Sequence, residues 1–332
     1  MFLGKINSSN KHAILVVLES IQSGGIDGLI MNLFPTENRS LLRINVKSSL
    51  AMLDFLFYRT KVISMRGSYT AKDYNKLAII KYLLKSESST FIVDVCKYYY
   101  AEFNQVLAQQ LPSPITKGNW YNLQKYFHIL LQNGTKIDAV SGWLLYASYY
   151  YVTGKFHITL RLTDYVLSIW SPDMMLDSEY DWELHTRRYR QNTHSTITLN
   201  DRMKMYTIRD VIYTMNSSLI PKELQLEVET GAFFIPPIVM SHCLNFLSYH
   251  HLGDIVNRQK SLHDLHLTVK NRYSISTSCL SDSITIVGIC YEISGAKDTA
   301  YQCYEEALQM GCHFSRTADI RKSKLLSNTF EF

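Results

Sequence analysis

The chain has 332 residues, of which 46% are hydrophobic, and its 34 Lys and Arg against 29 Asp and Glu give a net charge of +5 at pH 7. This length suits two modest domains or one extended helical array, and the hydrophobic content is that of a globular protein with a buried core. A positive charge this small and this dispersed argues against a basic nucleic-acid-binding protein and leaves the partner open.

The first half of the chain contains apolar segments with helical spacing and few strand signals. These segments are LVVLESI, LAMLDFLFY, LAIIKYLL, FIVDVCKYYYAEFNQVLAQQL and LQKYFHILLQN. Pro112 and Pro114 break the pattern after the long fourth segment. We therefore predict an N-terminal helical segment over residues 1–112, a helical array over residues 113–316 and a flexible C-terminal tail over residues 317–332.

Membrane and disulfide signals are weak. The run AILVVLESI covers about nine residues, fewer than the roughly 20 that a membrane span needs, and no signal-peptide cleavage site follows it. The six cysteines form no C-x-x-C pair, so we expect reduced thiols, with Cys290 and Cys303 buried in apolar helical patterns. The sequence thus predicts a cytoplasmic protein without a membrane partner.

The clearest repeat signal lies in YEISGAKDTAYQCYEEAL, residues 291–308. With Ser281 as the first of 34 places, the small and large residues fall at Gly288 (place 8), Tyr291 (11), Gly295 (15), Ala300 (20), Tyr304 (24) and Ala307 (27). Places 8 and 11 share a face of a first helix, and places 20, 24 and 27 share a face of a second. Small residues let the two helices approach, and glycine at place 15 makes the turn. This layout resembles the tetratricopeptide repeat.

The stretch SGWLLYASYYYVTGKFHITLRLTDYVL fits the same frame. Trp143 takes place 4, Ala147 place 8, Tyr150 place 11 and Gly154 place 15, whereas Thr159, Thr163 and Val166 stand where the pattern has Ala, a large aromatic and Ala. Its three consecutive tyrosines, residues 149–151, cannot all face one way on a helix. Core packing is the favoured interpretation for them, with an exposed peptide-binding groove as the alternative.

A third stretch, MSHCLNFLSYHHLGDIVNRQKSLHDLHL, places Tyr249 at 11 and Gly253 at 15 but departs from the pattern with Phe246 at 8 and Arg258 at 20. Between it and the earlier stretch, we predict two irregular helical hairpins in residues 171–235. Pro221 would occupy a first helical turn there. At least three stacked units are needed to bury a continuous core, so these hairpins belong to the predicted array.

Two clusters of side chains, one of histidines and one of arginines, are candidates for a functional site. Five histidines lie within 25 residues, at positions 242, 250, 251, 263 and 266, yet no acid or cysteine completes a zinc signature, so we predict no metal site. Convergence of His242, His250 and His263 would instead favour a metal-dependent enzyme. Arg187, Arg188 and Arg190 form a basic cluster, which we interpret as a solvated surface or a partner contact.

Parts of the chain also resemble a known family. LESIQSGGIDGLIMNLFPTENRSLL resembles the segment that closes the helical lobe of the male-abnormal-twenty-one family, relatives of cyclic GMP-AMP synthase. LQNGTKIDAVSGWLLYASYYYVTGKF, SSLIPKELQLEVE and PPIVMSHCLNFLSYHHLGD are similar to the C-terminal extension of many invertebrate members. The resemblance implies a nucleotidyltransferase core that this chain lacks, so no catalytic or cofactor-binding residue carries over. The chain looks like a truncated relative that retains the accessory helical region.

We therefore expect an all-α fold of helical hairpins stacked as a tetratricopeptide-like right-handed array, preceded by a smaller helical segment. The predicted function is a non-catalytic scaffold that binds a protein partner without a cofactor or a metal. Two alternatives remain open: an accessory region of a nucleic-acid-sensing, nucleotidyltransferase-like immune protein, for which nucleic acid would be a partner, and a metal-dependent enzyme.

Overall fold

The computed structural model describes residues 73–86, 89–114, 120–171, 174–176, 198–272, 275–310 and 316–327. All of them fall within one compact unit, Arg59–Phe332. The α-helices are α1 (Asp73–Ser86), α2 (Thr90–Gln110), α3 (Trp120–Gly134), α4 (Ser141–Val152), α5 (Phe156–Ile169), α6 (Leu199–Tyr206), α7 (Pro237–Leu252), α8 (Ile255–Lys270), α9 (Leu280–Ser294), α10 (Lys297–Gln309) and α11 (Arg316–Ser327). The predicted all-α fold is confirmed, although the segments LVVLESI and LAMLDFLFY lie outside the described residues.

Four short strands and two 3₁₀ helices interrupt the helical pattern. Strand β1 (Met175–Leu176) pairs in parallel with β2 (Thr207–Ile208), and β3 (Val211–Tyr213) pairs antiparallel with β4 (Phe233–Ile235). The 3₁₀ helices cover Lys222–Val228 and Thr277–Cys279. Where residues 171–235 are described, the prediction of two helical hairpins is therefore wrong. Strands of two or three residues are too short to show a period of two, so their β-branched residues read as parts of helices.

Helix α2 joins the predicted N-terminal segment to the rest of the structure. The Gln109 side chain donates to the carbonyl of Ile212 (3.0 Å) and accepts from the N–H of Thr214 (2.9 Å). Earlier on α2, Glu102 forms a buried ion pair with Arg209 (3.0 Å), with side-chain exposures of 10% and 4%. The described part of residues 1–112 thus packs on the part of the chain that follows it, a point that the sequence left open.

The hydrophobic core runs from Ala108 in α2 to Leu325 in α11. Helices that are adjacent in the chain pair as α4 with α5, α7 with α8, and α9 with α10, and α7 also packs on α5. Cys290 and Cys303 are buried and free, as predicted. The three helical pairs therefore share one continuous core.

The C-terminal tail predicted to be flexible contains α11 instead. Ala318 and Leu325 are buried, with exposures of 0% and 6%, and the Arg321 side chain is only 13% exposed. These residues are spaced three and four apart, so they lie on one face of a helix, which packs on α10. The prediction was wrong because it followed the high charge of this segment and not the helical spacing of its few apolar residues.

Candidate partner-binding surface

Three helical hairpins share one turn geometry at the glycines that the sequence analysis assigned to place 15. The φ angles are 74° at Gly154, 72° at Gly253 and 92° at Gly295. In each turn, the N–H after the glycine donates to the carbonyl of the tyrosine at place 11: Lys155 to Tyr150 (2.8 Å), Asp254 to Tyr249 (3.0 Å) and Ala296 to Tyr291 (3.0 Å). This is the six-to-one hydrogen bond of a Schellman motif. A Cβ at any of the three glycines would meet no atom within 4 Å, so the left-handed backbone alone selects glycine.

The last hairpin, α9–α10, follows the repeat pattern most closely. Ala300, Tyr304 and Ala307 are each 0% exposed. A Cβ added to Gly288 would lie 2.6 Å from Cε1 of Tyr304, so glycine at place 8 makes room for the tyrosine ring at place 24. The Tyr304 hydroxyl donates to Glu292 at 2.6 Å. The predicted small and large residues therefore meet between the two helices.

The first hairpin, α4–α5, accommodates its departures from the pattern through polar contacts. The Thr159 hydroxyl, at place 20, donates to the carbonyl of Ala147, at place 8, at 3.2 Å. Both residues are 0% exposed. Trp143 is half-buried and lies edge-on to Tyr165 of α5, with ring centroids 5.2 Å apart. A hydroxyl that bonds a carbonyl can thus replace the alanine methyl without leaving an unpaired polar group.

The consecutive tyrosines of α4 point in different directions. The Tyr149 ring is 0% exposed and its centroid lies 5.2 Å from that of Phe127 of α3. Tyr150 is half-buried and stacks on Tyr146, with centroids 5.0 Å apart. The Tyr151 hydroxyl donates to Glu223 of the first 3₁₀ helix at 2.9 Å. Packing contacts within the fold therefore account for this run.

The middle hairpin, α7–α8, carries larger residues between its helices. Phe246 at place 8 is 0% exposed and stacks on His250, with ring centroids 6.4 Å apart. Arg258 at place 20 places Nη1 3.4 Å from Nδ1 of His250. Tyr249 and Gly253 keep the shared turn. The middle hairpin thus preserves the turn while its interface differs from the predicted repeat.

Neighbouring hairpins are joined by side chains from the second helix of one pair and the first helix of the next. Thr163 of α5 donates to the amide oxygen of Asn245 of α7. The hydroxyl of Tyr291 of α9 lies 3.2 Å from Nδ1 of His266 of α8. These contacts give the three hairpins a serial order in space that follows their order in the chain.

The first helices of the hairpins hold a segment of the same chain, the 3₁₀ helix Lys222–Val228. Glu223 accepts from Tyr151 of α4 and lies 3.3 Å from Nε2 of His251 of α7, while that nitrogen lies 2.9 Å from the Tyr151 hydroxyl. Leu224 and Val228 of the same segment are each 0% exposed. Tyr151, one of the three tyrosines considered for a peptide-binding groove, thus contacts a segment of the same chain.

Helix α11 also contacts this segment. Arg321 Nε donates to Glu227 at 2.9 Å and Arg321 Nη2 donates to the carbonyl of Glu223 at 2.9 Å. Lys322 Nζ donates to Glu305 of α10 at 3.1 Å and lies 4.8 Å from the ring centroid of Tyr301. We call the surface beneath α11, formed by Glu223, Glu227, Tyr301 and Glu305, the acidic seat.

Several groups around the acidic seat have shifted pKa values. Burial, followed by the nearby charge of Glu227, raises the pKa of Asp282 at the start of α9 to about 7. Burial, followed by the charge of Glu223, raises the pKa of Tyr151. Burial, followed by the neighbouring thiol of Cys243, also raises the pKa of Cys290. The phenol and the thiol therefore remain protonated at neutral pH.

The histidines of the cluster have different partners, although the ring centroids of His250 and His251 lie 5.7 Å apart. His251 contacts Glu223, His250 contacts Arg258 and His266 contacts Tyr291. Burial lowers the pKa of His242. Among the described residues, no group of three or more His, Cys, Asp or Glu side chains is arranged to hold a metal ion. Arg187, Arg188 and Arg190 lie outside the described residues.

Sequence reasoning missed the residues that converge at the acidic seat. Glu223 and Glu227 carried no signal, because their contacts come from residues 28 to 98 positions away in the chain. A signal for α11 was present, since Ala318, Arg321 and Leu325 follow helical spacing. The tail assignment overlooked it.

The chain has no match among protein-family models, curated proteins or solved structures. In the part of the chain that the structure describes, no helix is long and apolar enough to cross a membrane.

Proposed function

We propose that this chain is a non-catalytic helical-repeat scaffold that binds a protein partner. The observation that carries the proposal is the recurrence of one hairpin turn three times in a single stacked body, at Gly154, Gly253 and Gly295. Stacked hairpins of this kind expose extended surfaces built from successive units, which protein-binding repeat proteins use. We further propose that the hairpins stack as a right-handed, tetratricopeptide-like array.

The outer surface of the first hairpin offers a contact point for such a partner. Tyr165 is 44% exposed and lies against Trp143. Trp and Tyr are enriched among residues that dominate interface energies, because each buries a large rigid area at low entropic cost. Tyr151 and His251 already contact Glu223 of the segment Lys222–Val228, so we place partner contacts at the exposed Tyr165 or at the end of the array.

The test is chemical cross-linking of the tagged chain in its native extract, followed by mass spectrometry and size-exclusion chromatography of the captured complex. We expect one protein partner at constant stoichiometry, and Tyr165→Ala should weaken its retention at least about tenfold, the effect of losing about 1.4 kcal/mol. Tyr82→Ala is the matched control, because Tyr82 is 58% exposed on α1. A chain that stays monomeric, or a partner lost equally with both variants, would contradict the proposal.

The resemblance to the male-abnormal-twenty-one family supports a second proposal, that the chain acts as an accessory region of a nucleic-acid-sensing protein. An electrophoretic shift assay with double-stranded DNA over 50 to 200 mM salt separates the two proposals. Nucleic-acid binding falls steeply over this range, because bound cations are released from the phosphates. A steep salt-dependent shift favours the second proposal and counts against the first.

A further inference from the structure

We propose that α11 is a built-in occupant of the acidic seat, and that the seat binds a basic amphipathic helix of a partner when α11 leaves it. The inference rests on the proposed function only for its statement that a protein partner binds this chain. Its test uses the chain's own helix as the probe and therefore needs no identified partner.

The first step of the argument is charge complementarity. The seat presents Glu227, whose side chain is 2% exposed, and Glu305, whose side chain is 46% exposed. The occupying face of α11 supplies Arg321 to the first and Lys322 to the second. A buried carboxylate such as that of Glu227 requires a cation opposite it. Whatever replaces α11 must therefore bring a positive charge to the same position.

The second step is shape. Ala318 is 0% exposed and Leu325 is 6% exposed, so α11 buries a small residue in its first turn and an aliphatic residue in its last turn. Together with Arg321, they define the pattern Ala-x-x-Arg-x-x-x-Leu on one helical face. The kind of partner that fits is thus a basic amphipathic helix, recognised by its face as in other helix-in-groove complexes.

The third step is that few buried residues attach α11 to the rest of the protein. The helix has 12 residues, and isolated helices of that length are marginal in water. Its buried residues are Thr317, Ala318 and Leu325, whereas α9 buries ten of its fifteen residues. Elements with few buried contacts open locally at a lower free energy than the core does. Helix α11 can therefore leave the seat while the hairpins stay folded.

The test measures binding of a fluorescein-labelled peptide of residues 316–327, RTADIRKSKLLS, to the full chain by fluorescence anisotropy. We expect weak binding to the wild-type chain, where the tethered α11 competes at high effective concentration. The Ala318→Asp chain places a charge at the buried position and frees the seat, so it should bind the peptide at least tenfold more tightly. The Ile320→Asp chain is the matched control, because Ile320 is 42% exposed on the same helix, and it should bind as the wild type does.

A peptide carrying Arg321→Glu should bind the Ala318→Asp chain at least tenfold more weakly than the native peptide. Equal binding of the two peptides, or equal binding by the wild-type and Ala318→Asp chains, would overturn the proposal. Hydrogen exchange of the wild-type chain tests the same idea without a substitution: α11 amides should exchange faster than those of α9 and α10. Exchange of all three helices together would show that α11 is an integral part of the core. Failure here leaves a partner on the Tyr165 surface untouched, so the two proposals fail separately.

Discussion

Asp282 gives a test of the electrostatics around the acidic seat that depends on pH. This side chain lies in the first turn of α9, and burial, followed by the charge of Glu227, raises its pKa from 3.8 to about 7. The folded chain therefore holds a proton that the unfolded chain releases above pH 4. Below pH 4 both states are protonated and the group has no effect, whereas from pH 4 to 7 the folded state loses stability as pH rises.

The magnitude follows from the shift. Each pKa unit corresponds to about 1.4 kcal/mol, so the change from 3.8 to about 7 is an upper bound on the order of 4 kcal/mol at pH 8. Asp282→Asn removes the titration and keeps the shape. We expect the variant to match the wild type at pH 4 and to be more stable by about 2–4 kcal/mol at pH 8.

Urea unfolding followed by circular dichroism at pH 4, 6 and 8 measures this difference. Asp298→Asn is the matched control, because Asp298 is also an acid in a first helical turn but is exposed. The control should show no difference that grows with pH. A stability difference for Asp282→Asn that is constant across pH, or that has the opposite sign at pH 8, would show that Asp282 does not titrate with a raised pKa.

Three further predictions test the packing of the body. Ala300→Asp should lower the free energy of unfolding by at least about 3 kcal/mol, since it places an unpaired charge between α9 and α10. Gln302→Asp on the exposed face should change it little, and thermal unfolding measures both variants. Gly253→Ala should cost about 1 kcal/mol in urea unfolding because of its positive φ, and Gly231→Ala, whose φ is not positive, should cost nothing. Arg209→Met should cost about 3–5 kcal/mol by leaving Glu102 buried without its partner, and restoration by Glu102→Leu in the double variant would identify the lost charge pair as the cause.

The sequence predicted the hairpin turns well because each depends on a local rule. A left-handed residue favours glycine, and the tyrosine four positions earlier supplies the carbonyl that closes the turn. Gly154, Gly253 and Gly295 therefore stand out without any knowledge of tertiary contacts. The same locality explains why α2 and α3 were recognised, since their apolar residues recur at helical intervals.

The remaining features depend on contacts between distant parts of the chain. Glu223 meets Tyr151 and His251 only after three helices have packed, and no spacing in the sequence records that meeting. The strands β3 and β4 consist of residues that favour strands, but each has only three residues, and their mutual pairing and the burial of Val211 and Ile235 stabilise them. Helix α11 differs from these features, because its helical spacing is visible in the sequence. The interpretation as a tail followed its charged residues instead.

The two elements that cover the first helices and the acidic seat differ in how easily a partner can displace them. Releasing Lys222–Val228 would expose Leu224 and Val228, at about 1.5–3 kcal/mol each, and would also break the contacts of Glu223 with Tyr151 and His251. The segment also lies between the paired strands β3 and β4, so its release would strain that pairing. Displacing α11 exposes one leucine and one alanine and replaces its two cations with those of the incoming helix. We therefore expect the proposed partner helix to displace α11 more readily than Lys222–Val228, because a cation of the incoming helix would leave Glu227 paired.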